Sequence, residues 1–262
     1  MIGIYFSGTG NTEYCIKKFV SVYAPGSPII SIEDNSILAA INQHQEIILA
    51  YPIYYSNLPK IVRDFIVKNH TVWYGKKIFF IATMGLFSGD GAGLASRLMK
   101  KYGAHIIGGL HIKMPDCICD VKTLKRSIPQ NQKLIKDATN KLIKAAHQLK
   151  ENHPPQEGIN VLYHIAGLLG QRLWFYNKTR SYTDQLHIDS NACICCGKCA
   201  ELCPMKNISI IDNSVQAHDQ CTMCYRCINQ CPKRAITLIG KEIIEQHLSL
   251  IHISEPTRRT PI

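Results

Sequence analysis

Eight cysteines in this chain stand at spacings suited to gripping an inorganic cluster. Cys193, Cys196, Cys199 and Cys203, closed by Pro204, form one C-x2-C-x2-C-x3-C-P run. Cys221, Cys224, Cys227 and Cys231, closed by Pro232, repeat it. Three thiolates this close in sequence fit one face of a cuboidal iron–sulfur cluster, and the fourth ligand must come from elsewhere. Each proline ends the local turn and directs the chain away. Zinc and disulfides are the competing readings. Structural zinc usually pairs two C-x2-C units across a longer gap, so the third cysteine at the same spacing counts against it. Disulfides belong to oxidising compartments, and the N-terminus MIGIYFSGTG lacks a basic segment leading an apolar signal. Cys195 lies inside the first run but outside its ligand pattern, either as a neutral neighbour or as a spare ligand. Of the 12 cysteines, that leaves Cys15, Cys117 and Cys119.

A second stretch is built for an anion. The apolar segment IGIYFS runs into Ser7, Gly8, Thr9, Gly10, Asn11 and Thr12, then into a helical pattern with Ile16, Phe19 and Val20 on one face. A strand, a small-residue loop and a helix point loop N–H groups and the helix N-terminus at a phosphate, and hydroxyls add donors. The loop has no Walker lysine and no G-x-G-x-x-G, which counts against a nucleoside triphosphate or a dinucleotide.

Both stretches carry resemblances. Ser7, Thr9, Gly10 and Thr12 match the flavodoxin signature [TS]-x-[TS]-G-x-T, which holds the phosphate of FMN. The two cysteine runs resemble those of bacterial two-[4Fe–4S] ferredoxins, where the fourth ligand of each cluster comes from the other run. That resemblance implies one cluster on Cys193, Cys196, Cys199 and Cys231, and a second on Cys221, Cys224, Cys227 and Cys203. Together the two signatures resemble the anaerobe-type fusion of a flavodoxin-like domain with a two-cluster ferredoxin.

The elements that must position these residues alternate strand and helix. Glu46–Tyr51 and Lys77–Thr83 are buried strands, 104–112 is another, and 28–32 is a short second one. Pro59 starts a helix with an Ile61, Val62, Phe65 and Ile66 stripe. A helix carrying Leu94, Leu98, Met99 and Tyr102 follows the third loop, and a long helix spans 129–149. This alternation predicts an α/β fold with helices on both faces of a parallel sheet. The flavodoxin resemblance implies a doubly wound sheet of order 2-1-3-4-5, with FMN at the carboxyl ends of the strands. It also implies ring contacts from Pro52, Tyr54, Tyr55 and Asn57 after the third strand, Tyr54 foremost. Thr83, Gly85, Phe87 and Gly89 after the fourth would line the ring.

Residues 1–152 are thus expected to form the flavodoxin-like unit. Residues 153–185 form a linker, opened by Asn152-His153-Pro154-Pro155 and carrying an apolar docking helix over 159–176 that Arg172 and other polar residues disqualify as a membrane span. A small α+β two-cluster ferredoxin unit spans 186–240, closed by an apolar strand at 233–237. Leu248 to Arg258 resembles a translated sequencing adapter, so 248–262 is set aside from fold reasoning.

The formal charge is +11. Two clusters on eight thiolates would add about −4 and a flavin phosphate about −2, leaving roughly +5. Lysine and arginine are scattered, as on a solvated surface. The expected function is an electron relay in the cytoplasm between FMN, two [4Fe–4S] clusters and an external redox partner protein. A flavin-dependent reductase of a small acceptor such as a quinone is the second reading, with Tyr54, Tyr55 and Phe87 shaping access. An iron–sulfur sensor is the third. No nucleic-acid motif accompanies the basic balance.

Overall fold

The computed structural model describes residues 1–55, 57–86, 91–159, 165 and 182–244. The expected helix over 159–176 and the tail 248–262 therefore fall almost wholly outside the described residues, as do Phe87 and Gly89.

Strands β1 (Ile2–Tyr5), β2 (Ile29–Ser31), β3 (Glu46–Pro52), β4 (Lys77–Met84) and β5 (His105–Lys113) form one parallel sheet in the order β2-β1-β3-β4-β5. Helices α1 (Asn11–Tyr23), α2 (Ile37–Asn42), α3 (Lys60–Lys68), α4 (Gly91–Lys101) and α5 (Ile128–Lys150) connect and cover it. Strands covered on both faces read as continuous apolar runs, and Ile47–Tyr51 is buried throughout. Alternate side chains separate two cores. Ile47, Leu49, Tyr51, Ile78 and Phe80 meet the α2–α4 side, while Ile48, Ala50, Phe79 and Ile81 meet α1 and α5. On the second side Phe19 stacks on Phe79 at 5.3 Å.

α5 starts at a capping box. The Ser127 Oγ accepts from the Gln130 N–H, and the Ser127 N–H donates to Gln130 Oε1. α4 departs from the expected apolar stripe: Ala92, Ala95, Ser96 and Met99 are its buried positions, while Leu94 is only half-buried. Small residues let this helix approach the sheet closely, and the Tyr51 hydroxyl donates to the Gly91 carbonyl at 2.9 Å. Lys76 is buried, and its ammonium donates to the carbonyls of Ile41, Asn42 and His44 just beyond α2.

The free edge of β5 is occupied. The Gly109 N–H donates to the Pro155 carbonyl, and the Glu157 N–H donates to the Gly109 carbonyl. The neighbouring His111 is 7% exposed, and burial pushes its pKa down to about 4. Glu157 opposes that shift and Lys141 adds to it. The unfolded chain then binds a proton between roughly pH 4 and 6.5 that the folded chain refuses. Stability is complete above that window and falls as pH drops through it, by about 3 kcal/mol for this group. Urea midpoints measured from pH 7 to 4 should show this fall, and His111→Asn should flatten part of it.

The cysteine-bearing part, 182–244, has β6 (His187–Ile188) antiparallel to β9 (Ile236–Thr237) and a hairpin of β7 (Ile208–Ile211) and β8 (Ser214–Ala217). Two short helices, α6 (Lys198–Leu202) and α7 (Arg226–Gln230), follow corresponding cysteines. The sequence repeat is also a backbone repeat. Cys195 and Met223 are left-handed, at φ 50° and 58°. So are Gly197 and Tyr225, at 76° and 59°, and Lys206 and Arg234, at 50° and 53°.

Candidate functional site

The loop between β1 and α1 is held from within and from both sides. The Gly10 N–H donates to Ser7 Oγ at 3.1 Å, with Gly10 left-handed at φ 89°. The hydroxyls of Thr12 and Thr83 share a hydrogen bond of 2.8 Å, tying the loop to the end of β4. The Asn11 amide donates to the Pro115 carbonyl at 2.8 Å, while its Oδ1 is buried without a hydrogen-bond partner among the described residues. The first turn of α1 presents N–H groups that the helix itself leaves unpaired.

A cavity of about 340 Å³ opens beside this loop. Ser7, Gly8, Thr9, Asn11 and Thr12 line it, as do Pro52, Tyr54, Tyr55, Thr83 and Gly85. Gly10 and Asn57 do not line it; the Asn57 backbone instead pairs with that of Tyr54. Burial drives the Tyr54 phenol well above its usual pKa, and among the described residues its hydroxyl has no hydrogen-bond partner. Tyr55 stacks on Tyr182 with ring centroids 6.0 Å apart.

Two walls of the cavity are absent from the sequence reading. One is the loop after β5, where Met114, Asp116, Cys117 and Ile118 face in. Burial raises the pKa of Asp116, against the opposing pull of the Ile118 N–H and Arg126. The other wall is Met223, Tyr225 and Ile239 of the cysteine-bearing part. These are remote in sequence, and no local pattern points to them.

The two parts meet closely. A Cβ at Gly8 would lie 2.2 Å from the Cys224 carbonyl oxygen, so the cysteine loop rests on the phosphate-type loop itself. Arg226 donates to the Ser7 carbonyl at 2.8 Å and forks onto the Glu33 carboxylate at 2.8 and 2.9 Å. Asp120 receives the N–H groups of Leu238, Ile239 and Gly240 on one oxygen and the Tyr225 hydroxyl on the other.

The cysteines sort into two groups across the runs. Cys193, Cys196, Cys199 and Cys231 line one small cavity. The charge of Cys203 bears on Cys221, Cys224 and Cys227. Backbone N–H groups reach the sulfurs at matching places: Asn207 to Cys203 Sγ at 3.2 Å and Ala235 to Cys231 Sγ at 3.4 Å. The Met223 N–H similarly donates to Cys221 Sγ. All 12 cysteines are free. Among the described residues no three His, Cys, Asp or Glu side chains converge as a single-ion site. A cuboidal cluster spaces its thiolates wider than one ion does. Burial pushes the Cys224 thiol up to about 12 and raises Cys221 and Cys227 as well.

The remaining thiols have quiet surroundings. Burial raises Cys15 and Cys117, and pushes Cys119 up to about 12. None of the three is an activated thiolate. Cys195 donates its S–H to the Asn213 carbonyl.

Residues 2–107 match the family described as a flavodoxin domain. With the sheet order, this makes the N-terminal part flavodoxin-like. No curated protein matches the chain. Among solved structures, a flavodoxin from an archaeon is 15% identical, with 57% of this chain and 97% of that one covered and a TM-score of 0.41. The two-electron reduced flavodoxin of Megasphaera elsdenii is 26% identical, with 53% and 99% covered and a TM-score of 0.39. A Fusobacterium nucleatum flavodoxin bound to flavin mononucleotide is 13% identical, with 57% and 96% covered and a TM-score of 0.41. Among the described residues no helix is long and apolar enough to cross a membrane.

Proposed function

We propose that this chain is an electron relay, with an FMN unit over 1–152 and a two-[4Fe–4S] unit over 186–240. The observation that carries the reading is the shared wall: the cavity beside the phosphate-type loop is closed by Met223 and Tyr225, which flank Cys224. A flavin site and a cysteine quartet therefore sit against each other.

The residues fit their groups. Ser7 through Thr12 would hold the phosphate, and the unpartnered Asn11 Oδ1 offers an acceptor at the cavity. Pro52, Tyr54, Tyr55, Thr83 and Gly85 would bound the ring. Asn57, Phe87 and Gly89 are assigned to it from the sequence alone. Cys193, Cys196, Cys199 and Cys231 would hold one cluster; Cys203, Cys221, Cys224 and Cys227 would hold the other. When bound, the flavin would supply one- and two-electron exchange and the clusters one-electron exchange. The protein's part is to exclude water with Tyr54, Met223 and Tyr225, and to donate N–H groups to sulfur. The reading assigns the chain to a reducing compartment, the cytoplasm, where cluster thiolates persist, with a redox partner protein outside it.

One observation favours the reductase reading as a second choice. Asp116 faces the cavity with a carboxyl that burial biases toward the protonated form, which suits proton delivery to a small acceptor. Turnover of quinones that is lost in Asp116→Asn would establish it.

Cofactor content of the anaerobically purified full chain tests the relay. About eight irons with matching sulfide, and about one FMN, are expected per chain. Iron without flavin would remove the relay and leave an iron–sulfur protein with a docking unit.

A further inference from the structure

The two cysteine runs are copies in sequence and backbone, yet only one copy is docked. In the second run every non-ligand position from 222 to 226 serves the N-terminal part. The Thr222 hydroxyl accepts from the Ile61 N–H at 3.3 Å, Met223 and Tyr225 line the cavity, and Arg226 grips Glu33 and Ser7. Their counterparts in the first run are Ile194, Cys195, Gly197 and Lys198. Among the described residues no hydrogen bond or ion pair joins these four to the N-terminal part. Ile194 is 56% exposed, and Lys198 is exposed.

The quartets differ accordingly. Cys224 and Cys227 are buried under the interface, whereas Cys196 is exposed. The small cavity of the first quartet has Ile194, Lys198 and the exposed Lys233 in its wall. Glu201, further along α6, is the acidic neighbour. Lys198 occupies the position from which Arg226, in the other copy, reaches a carboxylate. The free copy therefore presents an apolar side chain and two cations over the more exposed thiols.

We propose that the face made by Ile194, Lys198 and Lys233 is the docking surface for an external electron-carrier protein with an acidic rim. It engages that carrier as the second run engages Glu33 and Ser7 of its own chain. The proposal rests on the relay reading: the outer quartet faces the carrier and the inner quartet faces the flavin cavity. Single electrons pass, the carrier losing what the chain gains, with no bond made or broken.

The test uses the full chain, assayed first for iron and flavin, and a purified acidic two-cluster bacterial ferredoxin as the probe. Binding is measured by interferometry at several ionic strengths. Wild type should bind, and more weakly as salt rises. Reversing both charges (Lys198→Glu with Lys233→Glu) should weaken binding about tenfold or more at low salt. Ile194→Ser, which removes the apolar contact and adds no charge, should weaken it without changing the salt dependence. Lys133→Glu with Lys136→Glu, on α5, should leave it within about twofold. A chain without iron or flavin sinks the relay reading. A loaded chain that shows no salt-sensitive binding, or a charge-reversed variant that binds like wild type, overturns the docking surface alone.

Discussion

Asp120→Ala should lower stability by about 3–5 kcal/mol, because it removes the one acceptor that four donors of the opposite part share. The carboxylate is 5% exposed and takes four hydrogen bonds from the opposite part: Leu238, Ile239 and Gly240 N–H at 2.8, 2.9 and 3.1 Å, and the Tyr225 hydroxyl at 3.0 Å. Alanine leaves the buried Leu238 N–H and Tyr225 hydroxyl with no acceptor, at about 1–3 kcal/mol each, and the part-buried Ile239 and Gly240 N–H groups cost less. Water entering the loosened interface recovers part of that, which is why the expected loss is below the plain sum. The site is also sterically tight, since a Cβ at Gly240 would fall 1.7 Å from the Asp120 carbonyl oxygen. Gly240→Ala should therefore loosen the same junction with Asp120 intact. Urea denaturation gives the stability change, and limited proteolysis reports whether 182–244 separates from the rest. An Asp120→Ala chain that unfolds and resists protease like wild type would mean that other contacts hold the two parts together.

The sheet was legible because its strands announce themselves. EIILAY and KIFFIAT are apolar throughout, which only a strand covered on both faces needs, and Ile47–Tyr51 and Ile78–Ala82 are indeed wholly buried. Even the three-residue β2 is where PIISI placed it. The loop after β1 was legible as a turn into α1 from its run of small residues, Ser7 to Thr12. The cavity's other half was not. Asp116 and Cys117 sit in a loop with no periodicity, and Met223 and Tyr225 reach the cavity only because the chain folds back over more than 200 residues. Gly8 shows how one residue can serve a second purpose that the sequence does not display. Its missing side chain reads as room for a phosphate, yet the Cβ position faces the carbonyl of Cys224. On α4 the expected Leu98, Met99 and Tyr102 do pack on the core, and Ala92, Ala95 and Ser96, too small to draw attention, complete the packed face.

Double cysteine variants should separate cross-run from within-run ligation by a wide margin. Single variants do not, since Cys203→Ala removes one ligand from one cluster under either arrangement. The structure places Cys231 in the cavity of Cys193, Cys196 and Cys199, and sets Cys203 in the field of Cys221, Cys224 and Cys227. Cys203→Ala with Cys221→Ala therefore strikes one quartet twice. Such a chain should keep about four irons of about eight. Cys203→Ala with Cys193→Ala strikes both quartets and should keep almost none. Within-run ligation reverses the two results, because Cys203 then belongs with Cys193. Flavin content adds a second discriminator. The quartet on Cys224 presses on Gly8 of the anion loop, so losing it should weaken FMN retention more than losing the Cys193 quartet, probed with Cys193→Ala plus Cys196→Ala. The physical reason is packing rather than chemistry: Met223 and Tyr225, which flank Cys224, wall the cavity beside the β1–α1 loop, and a wall without its core relaxes. Equal flavin retention in both variants would detach the cavity from the inner quartet.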